Sequence, residues 1–271
     1  MTSAAFDRLR PTAFTDDEPI VRARGLTRLY GTRVGCLEVD LDVFPGEVVA
    51  VVGESGSGKT TLLRCLSGLS PPTEGTVLYR NGTDLVDLYQ IDASLRRRLL
   101  RTAIGVVFQR PEEGIRMRVS AGGNICERLL AEGERRFRRL REAASFWMER
   151  VELDLQRLDD LPGTYSGGML QRLQIAKNLA TNPRIIFMDE PTSGLDVSVQ
   201  ARFLDLMRRL VRELGLSVVM VTHDLAVARL LAHRLLVMFQ GRIVEHGLMD
   251  RVLDDPQHPY TQLLVSSRLT V

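Results

Sequence analysis

Gly53-Glu54-Ser55-Gly56-Ser57-Gly58-Lys59-Thr60 places glycines, hydroxyls and one lysine at the spacing of a phosphate-binding loop. Glycine lets successive backbone N–H groups turn inward around an anion, the compact ammonium ion of Lys59 reaches the terminal phosphates, and the Thr60 hydroxyl ligates magnesium. Gly53, Ser55, Gly56, Ser57, Gly58, Lys59, Thr60 and Thr61 are therefore the candidate nucleotide ligands, and ATP is the expected nucleotide. Lys59 and Lys177 are the only lysines in a chain whose other cations are arginines. A point charge suits this position, and arginine's planar fork does not replace it.

A second chemical group stands at the end of an apolar run. Ile185-Ile186-Phe187-Met188 leads into Asp189-Glu190. Beside a phosphate loop, Asp189 is placed to hold magnesium, usually through water, while Glu190 orients or deprotonates the attacking water. A third group, Tyr165-Ser166-Gly167-Gly168-Met169, opens a helix and offers a hydroxyl and backbone N–H groups to a second anion. One nucleotide seldom needs two such surfaces from one chain, so this one is expected to close over ATP held by another copy or a sister subunit.

These groups need strands and helices to hold them. Val48 to Val52 is a β-branched run suited to a strand buried on both faces, and Thr60 to Leu69 follows with Leu62, Leu63 and Leu66 at helical spacing. Leu37 to Val43 alternates apolar and acidic residues with strand period. Thr76–Tyr79, Ile104–Phe108, Ile185–Met188 and Ser217–Thr222 read as further strands, Val199–Leu214 as a helix, and Leu235 to Val244 as a late hairpin. Ile125 to Arg150 carries one helical apolar stripe ending at Phe146, Trp147 and Val151. Alternating strands and helices predict an α/β fold with a largely parallel sheet and a helical subdomain inserted at about 110–165.

Composition sets the limits. The 271 residues are 44% hydrophobic and 26% charged, ordinary for a soluble globular chain, and 36 basic against 34 acidic residues leave too little net charge for a global attraction to nucleic acid or membrane. Two arginine clusters, one at Arg96, Arg97, Arg98 and Arg101 and the other from Arg135 to Arg141, could touch phosphates locally. Such clusters are more often solvated helix faces or contacts for acidic proteins, and no direct nucleic-acid contact is expected. Cys36, Cys65 and Cys126 show no ligand spacing and read as inert thiols in a reducing cytoplasm. Residues 1–19 lack the apolar core of a secretory signal and read as a disordered leader, and no apolar run reaches the roughly 18 residues of a membrane span. A single domain is expected over 20–264, with a tail over 265–271.

The order Tyr30, GESGSGKT, Gln109, YSGGM, IIFMDEP, Ser193-Gly194-Leu195-Asp196 and His223 resembles the motif set of the ATP-binding cassette (ABC) ATPases, from about Ile20 to Leu264. That resemblance implies a largely parallel core sheet, an N-terminal antiparallel β-subdomain and an inserted helical subdomain. It also implies ATP hydrolysis with magnesium in a dimer that sandwiches the nucleotide. Tyr30 resembles the aromatic that stacks on adenine. Gln109 resembles the residue linking magnesium and attacking water to the helical subdomain, Asp196 the dimer-contact aspartate, and His223 the switch histidine that meets the γ-phosphate. Tyr165 and Met169 depart from the Leu and Gln that many transport cassettes carry at the ends of this signature, so the glutamine amide's hydrogen bond is absent.

Two branches of the family compete. Asp255-Pro256-Gln257-His258-Pro259-Tyr260-Thr261 is similar to the peptide and nickel importers. The run Arg110 to Ile125 is instead similar to the cassette subunits of the carbon-phosphorus lyase system for phosphonate use, as are Gly194 to Arg202 and Asp250 to Pro256. The second resemblance implies docking on the lyase core subunits. The first implies the nucleotide-binding subunit of a peptide, nickel or phosphonate importer, with membrane contact only through its permease.

Overall fold

The protein's structure, a computed structural model, describes residues 18–267. Of the leader and tail expected from the sequence, residues 1–17 and 268–271 lie outside that range. Strands β1 (Val21–Tyr30), β2 (Arg33–Val43), β4 (Glu74–Asn81) and β5 (Asp84–Asp87) form an antiparallel sheet in the order β2-β1-β4-β5. Strands β3 (Val48–Val52), β6 (Ile104–Val107), β7 (Ile185–Asp189), β8 (Ser217–Val221), β9 (Arg234–Phe239) and β10 (Arg242–Leu248) form the other sheet, in the order β10-β9-β3-β8-β7-β6. Every pairing in it is parallel except the β9–β10 hairpin.

The strand period divides β3 between two cores. Val48, Ala50 and Val52 face a core shared with the helices, while Val49 and Val51 face a second core beneath the antiparallel sheet. Burial on both faces explains why β3 is apolar without interruption. β7 and β8 divide the same way: Ile186, Met188, Val218 and Met220 join the first core, and Ile185, Phe187, Val219 and Val221 the second. Helix α1 (Lys59–Leu66) leaves the end of β3 and buries Leu62, Leu63, Cys65 and Leu66 in the second core. Helix α2 (Ala93–Thr102) precedes β6 and is capped by Asp92, whose carboxylate accepts the N–H groups of Ser94 and Leu95.

Between β6 and β7 the chain is helical: α3 (Pro111–Gly114), α4 (Ala121–Ala131), α5 (Phe137–Arg150) and α6 (Gly167–Leu179). The single stripe expected over Ile125–Arg150 is two helices. Gly133 takes a left-handed φ of 101° just past α4, and the Glu134 carboxylate then accepts the N–H groups of Arg135 and Arg136, each at 2.9 Å. This reverses the chain so that Trp147 and Met148 of α5 pack into the first core. Helix α7 (Val197–Leu214) ends at Gly215, whose φ of 60° closes it with a left-handed cap. Helices α8 (Leu225–Leu231), α9 (Met249–Asp254) and α10 (Pro259–Ser266) complete the chain.

The three cysteines are free and buried. Cys36 and Cys65 meet in the second core, where their mutual hydrogen bond and burial push the Cys65 thiol well above its usual range. Among the described residues no helix is long and apolar enough to cross a membrane.

Candidate active site

Residues 53–58 fill the gap between β3 and α1, with Lys59 and Thr60 opening the helix, and the loop's glycines answer to contact as well as to backbone angle. A Cβ on Gly53 would lie 2.2 Å from the Met238 carbonyl oxygen, and one on Gly58 would lie 1.9 Å from that of Gly35. Gly58 also caps α1 with φ 105° and no side-chain bond, which leaves the N–H groups of the first turn open to an anion. The Lys59 ammonium group is buried and donates to the carbonyls of Gly53 and Glu54, both at 2.8 Å. Ser57 Oγ is buried with no hydrogen-bond partner among the described residues, as expected of a group built to meet a ligand. Tyr30, at the end of β1, is 45% exposed, with the Arg28 guanidinium 4.9 Å from its ring centroid. Gly35 allows this ring to approach α1, because a Cβ there would lie 3.0 Å from Tyr30 Cε2 and 2.6 Å from Thr61 Cγ2.

Two strands away from β3, the end of β7 delivers the carboxylates. Thr60 Oγ1 donates to Asp189 Oδ1 at 3.0 Å, joining the loop to β7. Burial is the largest influence on Asp189 and raises its carboxyl above the ordinary aspartate value; the Thr60 bond opposes this and nearby Glu190 adds to it. A desolvated carboxylate beside a hydroxyl is a hard-oxygen donor pair that a magnesium ion would satisfy, so these residues fit that ion. Glu190 has φ 42°, a left-handed conformation rare for a residue with a side chain, held by its N–H bond to the Val221 carbonyl at 2.8 Å and by the Ser193 N–H on its own carbonyl at 3.0 Å. Its carboxylate lies 3.1 Å from His223 Nδ1 and accepts from Gln109 Nε2 at 3.3 Å. Gln109 Nε2 also reaches Ser193 Oγ at 3.3 Å, which leaves its carbonyl oxygen as the atom a cation could use. Lys59, Thr60, Asp189, Glu190, Gln109 and His223 are thus joined at the carboxyl ends of neighbouring strands, where open α/β sheets bind ligands.

Ser166, Gly167, Gly168 and Asp196 form a second group. Ser166 caps α6 by accepting the Met169 N–H at 3.4 Å. Gly168 lets α6 press on α7, since a Cβ there would lie 2.6 Å from Val199 Cγ1, whereas nothing lies within 4 Å of one on Gly167. Asp196 caps α7, accepting the Val199 N–H at 2.9 Å and the Ser198 hydroxyl at 2.8 Å, and these bonds hold its carboxyl below the usual range. Next to it Val197 is 84% exposed, an apolar side chain open at the surface.

Residues 36–193 match the ABC transporter family. The chain belongs to that family. It is 59% identical over 253 residues to the Escherichia coli K12 protein PhnK, whose name assigns it to phosphonates utilization and ATP binding; the match covers 93% of this chain and 99% of PhnK. The dipeptide transport ATP-binding protein DppF of the same organism is 38% identical, over 93% of this chain and 77% of DppF. Among solved structures, a dimer of the ATP-binding cassette MJ0796 bound to ADP and phosphate superimposes with a TM-score of 0.76 at 31% identity, covering 84% of this chain and 98% of that one. The architecture expected from the motif set, a largely parallel sheet with an antiparallel β-subdomain and inserted helices, is that of these cassettes.

One feature of the cassette escaped the sequence reading. Gln171, Gln174 and Asn178 lie on one buried face of α6. Asn178 accepts the Val106 N–H at 3.0 Å and donates to the Val106 carbonyl at 2.8 Å; Gln174 does the same for Phe108 at 3.0 and 3.2 Å. Gln171 Nε2 donates to the carbonyls of Pro191 at 3.0 Å and Phe108 at 3.3 Å. These amides pair the open edge of β6 and fix the residues that adjoin Gln109 and Glu190. Three amides spaced by three and four in a helix were the available signal. The arginine run in α5 is largely matched by neighbouring acids: Arg136 and Arg139 pair with Glu134, Arg138 with Glu142 and Arg141 with Asp159.

Proposed function

We propose that this cassette binds ATP with magnesium, closes on a second cassette, its own copy or a sister subunit, and hydrolyses ATP to ADP and phosphate. The observation that carries the reading is the setting of Glu190: a strained backbone aims one carboxylate between His223 and Gln109, one residue beyond Asp189 and its bond to the phosphate loop. The N–H groups of the loop and α1 would cradle the phosphates, Lys59 would turn from its two carbonyls to the β- and γ-phosphates, and Tyr30 would stack on adenine. Thr60, Asp189 and the Gln109 carbonyl would hold magnesium, which when bound neutralises charge developing on the transferred phosphoryl group. Glu190 would take the proton of the attacking water, His223 would contact the γ-phosphate, and Gln109 would register both events. Ser166, Gly167, Gly168 and Asp196 would complete the site of the partner cassette, where the exposed Val197 becomes buried.

The second part of the proposal concerns the partner. Identity of 59% to PhnK across nearly the whole of both chains supports a role in phosphonate use by docking on the carbon-phosphorus lyase core in the cytoplasm, a compartment that suits three free thiols. The segment Arg110 to Asn124 is the proposed docking surface. Asn124, fully buried, staples it by accepting the Arg116 N–H and donating to the carbonyls of Arg116, Val119 and Ser120. Met117 is half-buried against the chain's own core, while Glu112, Glu113, Arg116 and Arg118 are exposed. Replacing Arg116 and Arg118 with alanine is expected to abolish co-purification of lyase-core subunits with little change in nucleotide binding. Retained core binding would move the docking surface elsewhere, and recovery of a permease instead would overturn the lyase reading in favour of an importer.

A further inference from the structure

The run Asp255 to Thr261 has no part in the chemistry above, yet it ends against the phosphate loop. In β10 the Glu245 carboxylate accepts the N–H groups of Gln257 at 2.8 Å and His258 at 2.9 Å. His258 Nδ1 then accepts the Tyr260 N–H at 3.1 Å, and Pro259 occupies the first position of α10, so the helix starts at one defined point. Tyr260 is thereby presented in the first turn. Its ring is buried and lies over Phe239, with centroids 4.3 Å apart and planes at 32°. Its oxygen accepts the Glu54 N–H at 2.8 Å.

This contact reaches the peptide that matters most to Lys59. The Glu54 carbonyl accepts from the Lys59 ammonium group at 2.8 Å and from the Ser57 N–H at 3.2 Å, so Glu54 is held at its N–H by Tyr260 and at its carbonyl by the loop's own lysine. Gly53, one residue earlier, is packed under the carbonyl of Met238, the neighbour of Phe239. We infer that Tyr260 is a positioning residue for the phosphate loop, and that the run Asp255 to Thr261 is a buttress that sets the cassette's affinity for nucleotide. The inference rests on the nucleotide reading of the loop. By fixing the first two residues of the loop, the buttress holds in advance the curvature that phosphates require, so that ordering does not have to accompany binding. It acts on ground state and transition state alike.

Tyr260→Phe removes one oxygen and keeps the ring on Phe239. In the full-length protein, calorimetric Kd values for both ATP and ADP are expected to rise about tenfold, the effect of one poorly solvated N–H left unpaired. KM should rise with Kd while kcat stays within about twofold, and the Glu54 amide should exchange its hydrogen faster in the nucleotide-free variant. Wild-type affinity for both nucleotides would overturn the inference, as would a rise in Kd accompanied by an equal loss of kcat. Lys59→Ala separates this from the underlying reading: loss of binding in that variant with unchanged binding in Tyr260→Phe refutes the buttress alone, whereas unchanged binding in both refutes the nucleotide assignment of the loop.

Discussion

Gln171→Leu tests whether the buried amides of α6 serve catalysis or only the fold. The side chain is 2% exposed, and leucine of similar size can remain in its place beside the first core. The change removes the donor to the Pro191 and Phe108 carbonyls and the acceptor for Gln174 Nε2 at 2.7 Å. Phe108 keeps its bond from Gln174, so the main orphan is the Pro191 carbonyl. One buried carbonyl left unpaired costs about 1–3 kcal/mol. For a domain of this size each kcal/mol lowers Tm by roughly 2–4 °C, so a fall of about 2–12 °C is expected. Catalysis should suffer more. Phe108 precedes Gln109 and Pro191 follows Glu190, so relaxation there moves both groups, and a misplacement of about 1 Å corresponds to ~100-fold in rate. Gln171 has no bond to the phosphate loop, so ATP affinity should stay within about twofold of wild type. Single-turnover phosphate release, calorimetry and thermal unfolding measure the three quantities. A lower Tm with an unchanged rate would refute the catalytic role, and affinity falling as far as the rate would refute the separation of the two regions.

Gly167→Asp places a carboxylate on the signature surface without a clash, unlike Gly168→Asp, whose Cβ meets Val199. It should leave Tm unchanged and abolish ATP-dependent dimerisation in light scattering; a normal dimer would exclude the composite site. Asp189→Asn bears on pH. With its carboxyl raised by burial, the folded chain holds the Asp189 proton more tightly than the unfolded chain. This group's stabilising share is therefore complete below the ordinary aspartate value of about 4 and is lost as pH rises through the raised folded value. At pH 7 without nucleotide, Asp189→Asn should be at least as stable as wild type in urea, while losing the extra stabilisation by ATP that depends on magnesium. A variant less stable than wild type at pH 7 would contradict the assigned burial penalty.

The residues of the candidate site were more legible in the sequence than the frame around them. β3 and the phosphate loop stood out because burial on both faces demands an unbroken β-branched run and the loop demands glycine. β1 was missed because Gly25 and two further irregularities break its alternation, so its pairing with β2 and β4 leaves no clean period of two. α2 hid behind its arginines, since Leu99 is its only buried residue. The break between α4 and α5 turns on the left-handed Gly133, which an apolar stripe alone passes over. Ser166 and Asp196 drew notice as candidate nucleotide contacts, but not as the caps that start α6 and α7. The bond from Glu54 to Tyr260 joins the loop to the far end of the chain, and no local pattern records such a contact.

Light scattering of Glu190→Gln with ATP and magnesium, with the bound nucleotide identified afterwards, tests catalysis at a shared site most directly. An amide cannot take the water's proton, so turnover should fall ~100-fold or more while binding survives, and the variant should persist as a dimer with intact ATP inside. Phosphate release at the wild-type rate, or a protein that binds ATP and remains monomeric, would contradict hydrolysis by Glu190 between two cassettes.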